Sequence, residues 1–257
     1  MMRVLPFLFS LLLFAQPASA QPQIPENKNT VMVLGLIHSR HVESEKFSLP
    51  YLTNVIREIN PDYVLTEIPP DRLAEAAAGF AKDGVVSEAR TSRFPEYKDV
   101  LFPLLNEMNF KIIPTAGWTR PMAEFRSNAL ERISSDPARA DDWAAYQEGT
   151  RSVRENIGDR SDDPLFIHTD EYDEIIKNGY QPYATLFADD LGRGDWERIN
   201  AAHYELIHAA LNHHAYEGKT LLITFGAGHK YWFLEQLRKR DDISLINPTP
   251  FLEKAKR

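Results

Sequence analysis

Hydrophobic and polar positions alternate in a way that divides the chain into short buried runs and longer amphipathic stretches. Thr30–Ile37 is apolar almost throughout, too apolar for an exposed edge, and predicts a buried strand. Leu49–Asn60 places Leu52, Val55, Ile56 and Ile59 on one helical face and stops at Asn60-Pro61. Asp62–Ile68 predicts a second buried strand broken by Pro69-Pro70, and an alanine-rich helix comes after it at Asp71–Lys82. Pro95–Asn109 predicts a helix and Phe110–Pro114 a third strand. Between Pro121 and Tyr216 the pattern is helical only, over Met122–Ser134, Pro137–Glu155, Ile167–Leu191 with a break at Gly179–Pro182, and Asp195–Tyr216. Leu221–Phe225 returns to a short β-branched apolar run, Gly226 and Gly228 allow a turn, and His229–Arg240 continues as an amphipathic helix before a last strand at Ile243–Asn247.

This order predicts an α/β fold: a mainly parallel mixed central sheet with flanking helices and a large helical insertion at about 121–216, in a single domain spanning 30–257. No short-period repeat is present. The roughly 237 residues from Gln21 onward are enough to bury a core without crosslinks.

Met1–Ala20 carries Arg3, the apolar run Val4–Ala15 and a small-residue site ending at Ala20, the pattern of a cleaved signal peptide. Its apolar run is far shorter than the roughly 20 residues a membrane helix needs, so the mature chain is expected to be exported, to a bacterial periplasm or beyond, with no integral membrane segment. Residues 21–29 are polar and contain proline, an expected disordered lead-in. The full chain has net charge -8; cleavage removes Arg3 and leaves 28 basic against 37 acidic residues, net -9. That balance speaks against nucleic acid and anionic membranes as partners. There is no cysteine, so any metal must be held by His, Asp, Glu or Asn.

The candidate chemistry lies at strand ends. In open parallel sheets ligands bind beyond the carboxyl ends of the strands, and three predicted strands end in His38, Glu67 and His229. Gly35-Leu-Ile-His38 and Gly226-Ala-Gly-His229 share a G-x-x-H spacing. Two imidazoles and a carboxylate form a candidate facial site for a divalent transition metal such as Mn, Co or Zn, polarising a carbonyl or activating water. Taken singly, each histidine is as readily a loop hydrogen-bonding residue; the three together point to one site. His41, among Ser39, Arg40, Glu43 and Glu45, is expected to be solvated. His203, His208, His213 and His214 have no i, i+4 pair and are expected to be ordinary surface or packing residues. Arg198 opens the last long helix, where it either neutralises a developing oxyanion or pairs with Glu197 or Asp195; the pattern alone favours the ion pair.

Leu34-Gly-Leu-Ile-His38, Leu65-Thr-Glu67, Arg198-Ile-Asn200 and Gly226-Ala-Gly-His229, in this order, resemble the TraB/Tiki (GumN-like) superfamily, which extends to erythromycin esterase-like and ChaN-like proteins. The resemblance covers roughly 30–70 and 195–240. It implies a mixed α/β core with inserted helices and a site at the motifs. Together with the strand-end residues, it makes a peptide or small-molecule substrate the expected partner. Tiki-like members are metal-dependent proteases, which implies metal-ligand or catalytic roles for His38, Glu67 and His229, a catalytic role for Arg198, and supporting roles for Gly35, His41, Asn200, Gly226 and Gly228. Two alternatives come with it: a metal-free hydrolase using His and Glu, as in the esterase-like members, and a haem- or metal-binding protein without turnover, as in the ChaN-like members, for which His41, Tyr97 and Tyr204 are candidate ligands. The chain departs from the commoner Arg-Asn dipeptide by placing Ile199 between Arg198 and Asn200.

Overall fold

The computed structural model describes residues 27–256; the expected signal peptide and most of the lead-in lie outside the described residues. The sheet has five strands: β1 (Asn29–Leu36), β2 (Tyr63–Thr66), β3 (Lys111–Pro114), β4 (Thr220–Gly226) and β5 (Ile243–Leu245). They are ordered β3-β2-β4-β1-β5 and every pairing is parallel. The α/β class is therefore as the sequence predicts. Asn29, assigned from sequence to the lead-in, is the first residue of β1, and its side chain donates to His214 O at 2.6 Å and accepts from Lys219 N at 2.8 Å.

Parallel neighbours require a crossover, and here the crossovers are helices on both faces. The period-2 alternation sends Met32, Leu34, Val64 and Leu222 into one core, and Val31, Val33, Leu65, Leu221 and Ile223 into the other. The first crossover helix, Leu49–Ile59, is capped by Ser48 accepting from Tyr51 N and ends at Asn60 in the left-handed region (φ 48°), as the Asn-Pro signal predicts.

The connection from β3 to β4 holds the helical insertion, with long helices at Arg120–Ser135, Ala140–Ile157, Asp170–Leu186 and Trp196–His213. The break expected at Gly179–Pro182 is absent: the helix runs through Pro182 to Leu186. Gly179 instead serves a close crossing, since a Cβ on Gly149 of the facing helix would lie 2.4 Å from the Gly179 carbonyl oxygen. The expected helix Pro95–Asn109 is also modified. It opens as a π-helix, Glu96–Leu101, continued by one α turn, Phe102–Leu104. The widened turn buries both Glu96 and Tyr97. Among the described residues no helix is long and apolar enough to cross a membrane.

One histidine fastens the insertion to the sheet. Thr30 N–H donates to Lys219 O, so odd-numbered N–H groups of β1 face β5, yet β5 pairs only as far as Val31. The Gly35 N–H beyond that point has no strand to bond, and His168 Nε2 accepts it at 3.0 Å while His168 Nδ1–H donates to Pro164 O at 2.6 Å. A buried backbone donor left unpaired is costly, which gives His168 a structural role that no local sequence pattern announces.

Candidate functional site

The register Gly35↔Phe225 and Leu36↔Gly226 sets the ends of β1 and β4 side by side, with β2 on the other side of β4. His38, Glu67 and His229 therefore emerge from three adjacent strands at one edge of the sheet. His38 turns back with φ of 52°, a left-handed conformation that a residue with a Cβ holds only under tertiary constraint. The constraint is visible. His38 Nδ1 meets Glu96 Oε1 at 2.6 Å, its Nε2 faces Glu67 Oε2 at 3.7 Å, and Phe94 packs edge-on at 5.0 Å.

Glu67 accepts from Gly226 N at 3.0 Å, which ties the second strand end to the third. Tyr97, fully buried, strengthens the tie: its hydroxyl accepts from Glu67 N at 2.8 Å and donates to Thr224 O at 2.9 Å. Glu96 is 0% exposed and its Oε2 has no hydrogen-bond partner among the described residues, so its only polar engagement is with His38 through Oε1. Burial by itself lowers the His38 pKa, but the hydrogen bond to Glu96 and the charges of Glu67 and Glu96 outweigh it and hold the imidazole above its ordinary 6.5. The His38 side chain keeps 35% of its surface exposed, so the ring is reachable from solvent.

His229 is the opposite case. Asn200 Nδ2 donates to Trp196 O at 2.7 Å, which turns Asn200 Oδ1 toward His229 Nδ1 at 2.7 Å. Nδ1 must then carry the proton, and Nε2 holds a lone pair. The ring lies in a ladder of nearly parallel faces, with Trp196 at 4.8 Å and Phe233 at 6.1 Å, and Tyr180 stacks on Trp196 at 4.3 Å. Burial in this ladder, assisted by His203 and His38, drops its pKa to about 3 despite the pull of Glu67. The edge thus presents one imidazole whose protonated form is favoured by its neighbours and one that is held neutral.

Gly226 is required by proximity. Its backbone (φ -49°, ψ 134°) suits any residue, but a Cβ would lie 2.5 Å from His38 Nε2. Gly226→Ala is expected to fold with an unchanged circular dichroism spectrum, lose about 1–3 kcal/mol by overpacking, and displace His38 from Glu67. Thermal melts check this; an unshifted midpoint would mean that the ring moves freely. Gly35 is also tight, since its Cβ would lie 3.0 Å from Ala227 Cα, whereas a Cβ on Gly228 would have 3.8 Å of room.

Several expected positions are corrected. Arg198 does not join the edge: it is half exposed, its Nη1 donates to Ala188 O and Gly192 O at 2.9 Å, and it pairs with Asp195 at 3.2 Å, the ion pair that the sequence pattern favours. The helix phase sends its side chain toward the preceding loop while Asn200, two residues on, turns inward. His41 is not solvated but 1% exposed; its Nε2 accepts from Ile37 N at 3.1 Å and Nδ1–H donates to Phe47 O at 2.6 Å. It fixes the turn that carries His38. With both ring nitrogens so used, and the Tyr97 hydroxyl spent on the strand ends, neither residue offers a free atom to haem iron. His203, by contrast, is a packing residue as the sequence predicts, 1% exposed and accepting from Gly117 N at 2.8 Å.

Metal chemistry would draw on His38, Glu67 and His229. Among the described residues no three His, Asp or Glu groups converge closely enough to share one ion. The donors are organised as two hydrogen-bonded pairs, His38–Glu96 and His229–Asn200, with Glu67 facing the first pair across 3.7 Å. Glu96 is the member that sequence reading misses; its only local signal is an acidic residue after Phe94-Pro95 at the head of an apolar helical stretch. Comparison with protein-family models, with curated proteins and with solved structures finds no match for this chain.

Proposed function

We propose that the protein is an exported hydrolase of the TraB/Tiki type that attacks a peptide or ester bond with water activated at the carboxyl edge of the sheet. The observation that carries the proposal is the His38 ring held between Glu96 and Glu67 beside a neutral His229. An imidazole flanked by two carboxylates supplies an acid, and the more open of those carboxylates supplies a base. The His38 imidazolium is the acid: its Nε2–H meets the carbonyl oxygen as negative charge develops and then protonates the leaving group. Glu67 takes the proton of the attacking water, and the Nε2 lone pair of His229 accepts that water's second hydrogen bond and fixes its direction. Glu96 is a positioning residue that keeps His38 protonated and aimed.

The test is a panel of chromogenic peptides and esters, assayed with His38→Gln and Glu67→Gln. Each substitution is expected to lower kcat about 10²–10⁴-fold. Because the acid must be protonated and its pKa lies above 6.5, the rate should fall as pH rises through the His38 pKa, and Glu96→Gln should move that limb to lower pH. Wild-type turnover in His38→Gln would sink the reading. Loss of activity on chelation, restored by Mn, Co or Zn, would instead place water activation on an ion held by the same side chains.

A further inference from the structure

Beside the edge stand two guanidinium groups that no carboxylate among the described residues pairs with directly. Among the described residues, Arg90 and Arg126 are the part-buried arginines with no carboxylate within ion-pair distance, whereas part-buried Arg139, Arg160 and Arg240 all have one. In a chain with 37 acidic and 29 basic residues this is not for want of partners. Glu88, the nearest acid in sequence to Arg90, is already occupied: it accepts from the backbone N–H groups of Arg90 and Thr91 and from the Thr91 hydroxyl, at 3.1, 2.7 and 2.7 Å.

Both arginines are fixed on Trp118. Arg90 Nη1 donates to Trp118 O at 3.4 Å, and the Arg126 guanidinium lies over the Trp118 ring at 5.8 Å and over the Tyr183 ring at 5.3 Å. Trp118 in turn sits against the site, because the adjoining Gly117 N–H donates to His203, whose ring is 5.2 Å from that of His229. The charges reach the edge as well: Arg90 feels Glu67 and acts on His203, and Arg126 acts on His229. A second observation marks the place. Tyr183 is 1% exposed, and its hydroxyl, close enough to the Arg126 guanidinium to feel its charge, has no other polar partner among the described residues. Stacking on aromatic rings fixes a guanidinium without discharging it, which leaves its fork of N–H donors free for an oxyanion.

We infer that Arg90 and Arg126, joined by Trp118, form an anion-binding subsite beside His229, and that the substrate carries a carboxylate or phosphate group near the bond to be cleaved. The inference rests on the proposed hydrolase reading for what is cleaved, but not for what is bound.

The experiment therefore separates binding from turnover. Benzoate and phenyl phosphate are titrated against the intact protein by tryptophan fluorescence, with Arg90→Gln, Arg126→Gln, the double variant, and Arg132→Gln at an exposed position as control. Saturable quenching by at least one anion is expected, weakened about tenfold or more by each subsite substitution, abolished in the double variant and unchanged in Arg132→Gln. Stronger binding of one anion names the group. In the turnover arm, kcat/KM for anionic esters should fall in the Arg variants while that for neutral esters of similar size stays level. No quenching by either anion, or equal binding by wild type and double variant, overturns the subsite. Anion binding without hydrolysis of any ester or peptide leaves the subsite standing and removes the hydrolase.

Discussion

Lowering the pH from 7.5 to 5 is expected to cost the protein about 4 kcal/mol of stability through two buried histidines alone, each contributing about 2 kcal/mol. His168 and His203 are 4% and 1% exposed, and both are held neutral with their pKa lowered to about 3. For His168 the cause is burial first and then the Lys230 charge; for His203 it is burial and then Arg90. A folded-state pKa below the unfolded 6.5 means that the unfolded chain binds the proton first, so the stability is complete above 6.5 and drains as pH falls toward 3. His41 and His229, whose pKa values are also lowered, add to the loss, whereas His38, with its raised pKa, favours the folded state as pH falls through its titration. Urea unfolding at the two pH values measures the difference, and His203→Gln should remove its share of the slope. A stability constant to within 1 kcal/mol would show that the buried rings protonate without unfolding. The consequence reaches function, since His168 is what pins the insertion to β1 and His203 what backs His229.

Asp173→Ala is expected to destabilise the fold by about 3–5 kcal/mol, the usual cost of stranding a buried charge. Lys230 Nζ lies 2.6 Å from both Asp173 oxygens, and the lysine side chain is 3% exposed. Burial raises the Asp173 pKa and lowers that of Lys230. Both shifts say that desolvation outweighs the mutual attraction, so the pair is held by the fold more than it holds the fold. Removing one partner leaves the other ion without compensation. The double variant Asp173→Leu/Lys230→Met should therefore recover most of the loss. Thermal and denaturant melts of the three proteins decide it: a single variant within 1 kcal/mol of wild type, or a double variant worse than the single, would mean that water reaches the ammonium. This pair ties the insertion to the helix Lys230–Leu237, as His168 ties it to β1.

The candidate edge was legible in the sequence because its ingredients are local. Apolar runs mark β1, β2 and β4, and a residue just past a parallel strand is placed by strand direction alone, so His38, Glu67 and His229 had to reach the same side of the sheet. Those three most apolar strands occupy the three central positions, where strands buried on both faces belong. Gly226 was legible only as a turn residue; the real cause of its small size is the His38 ring, which reaches it from the far end of the chain.

Contacts between distant segments decided the rest. Helix phase is one instance: Arg198 and Asn200 open the same helix, yet packing turns the amide to His229 and leaves the guanidinium to the loop. A π-turn is another, since widening the helix at Glu96 swings a carboxylate under His38, and no pattern of polar and apolar positions distinguishes it from an α-turn. The charge states belong to this second class altogether. His38 and His229 are the same residue in the same G-x-x-H spacing, yet the pKa of one is raised and that of the other lowered, because two carboxylates flank the first and an aromatic ladder encloses the second. Desolvation and Coulomb interaction depend on distance in space, which the fold creates, and not on distance along the chain.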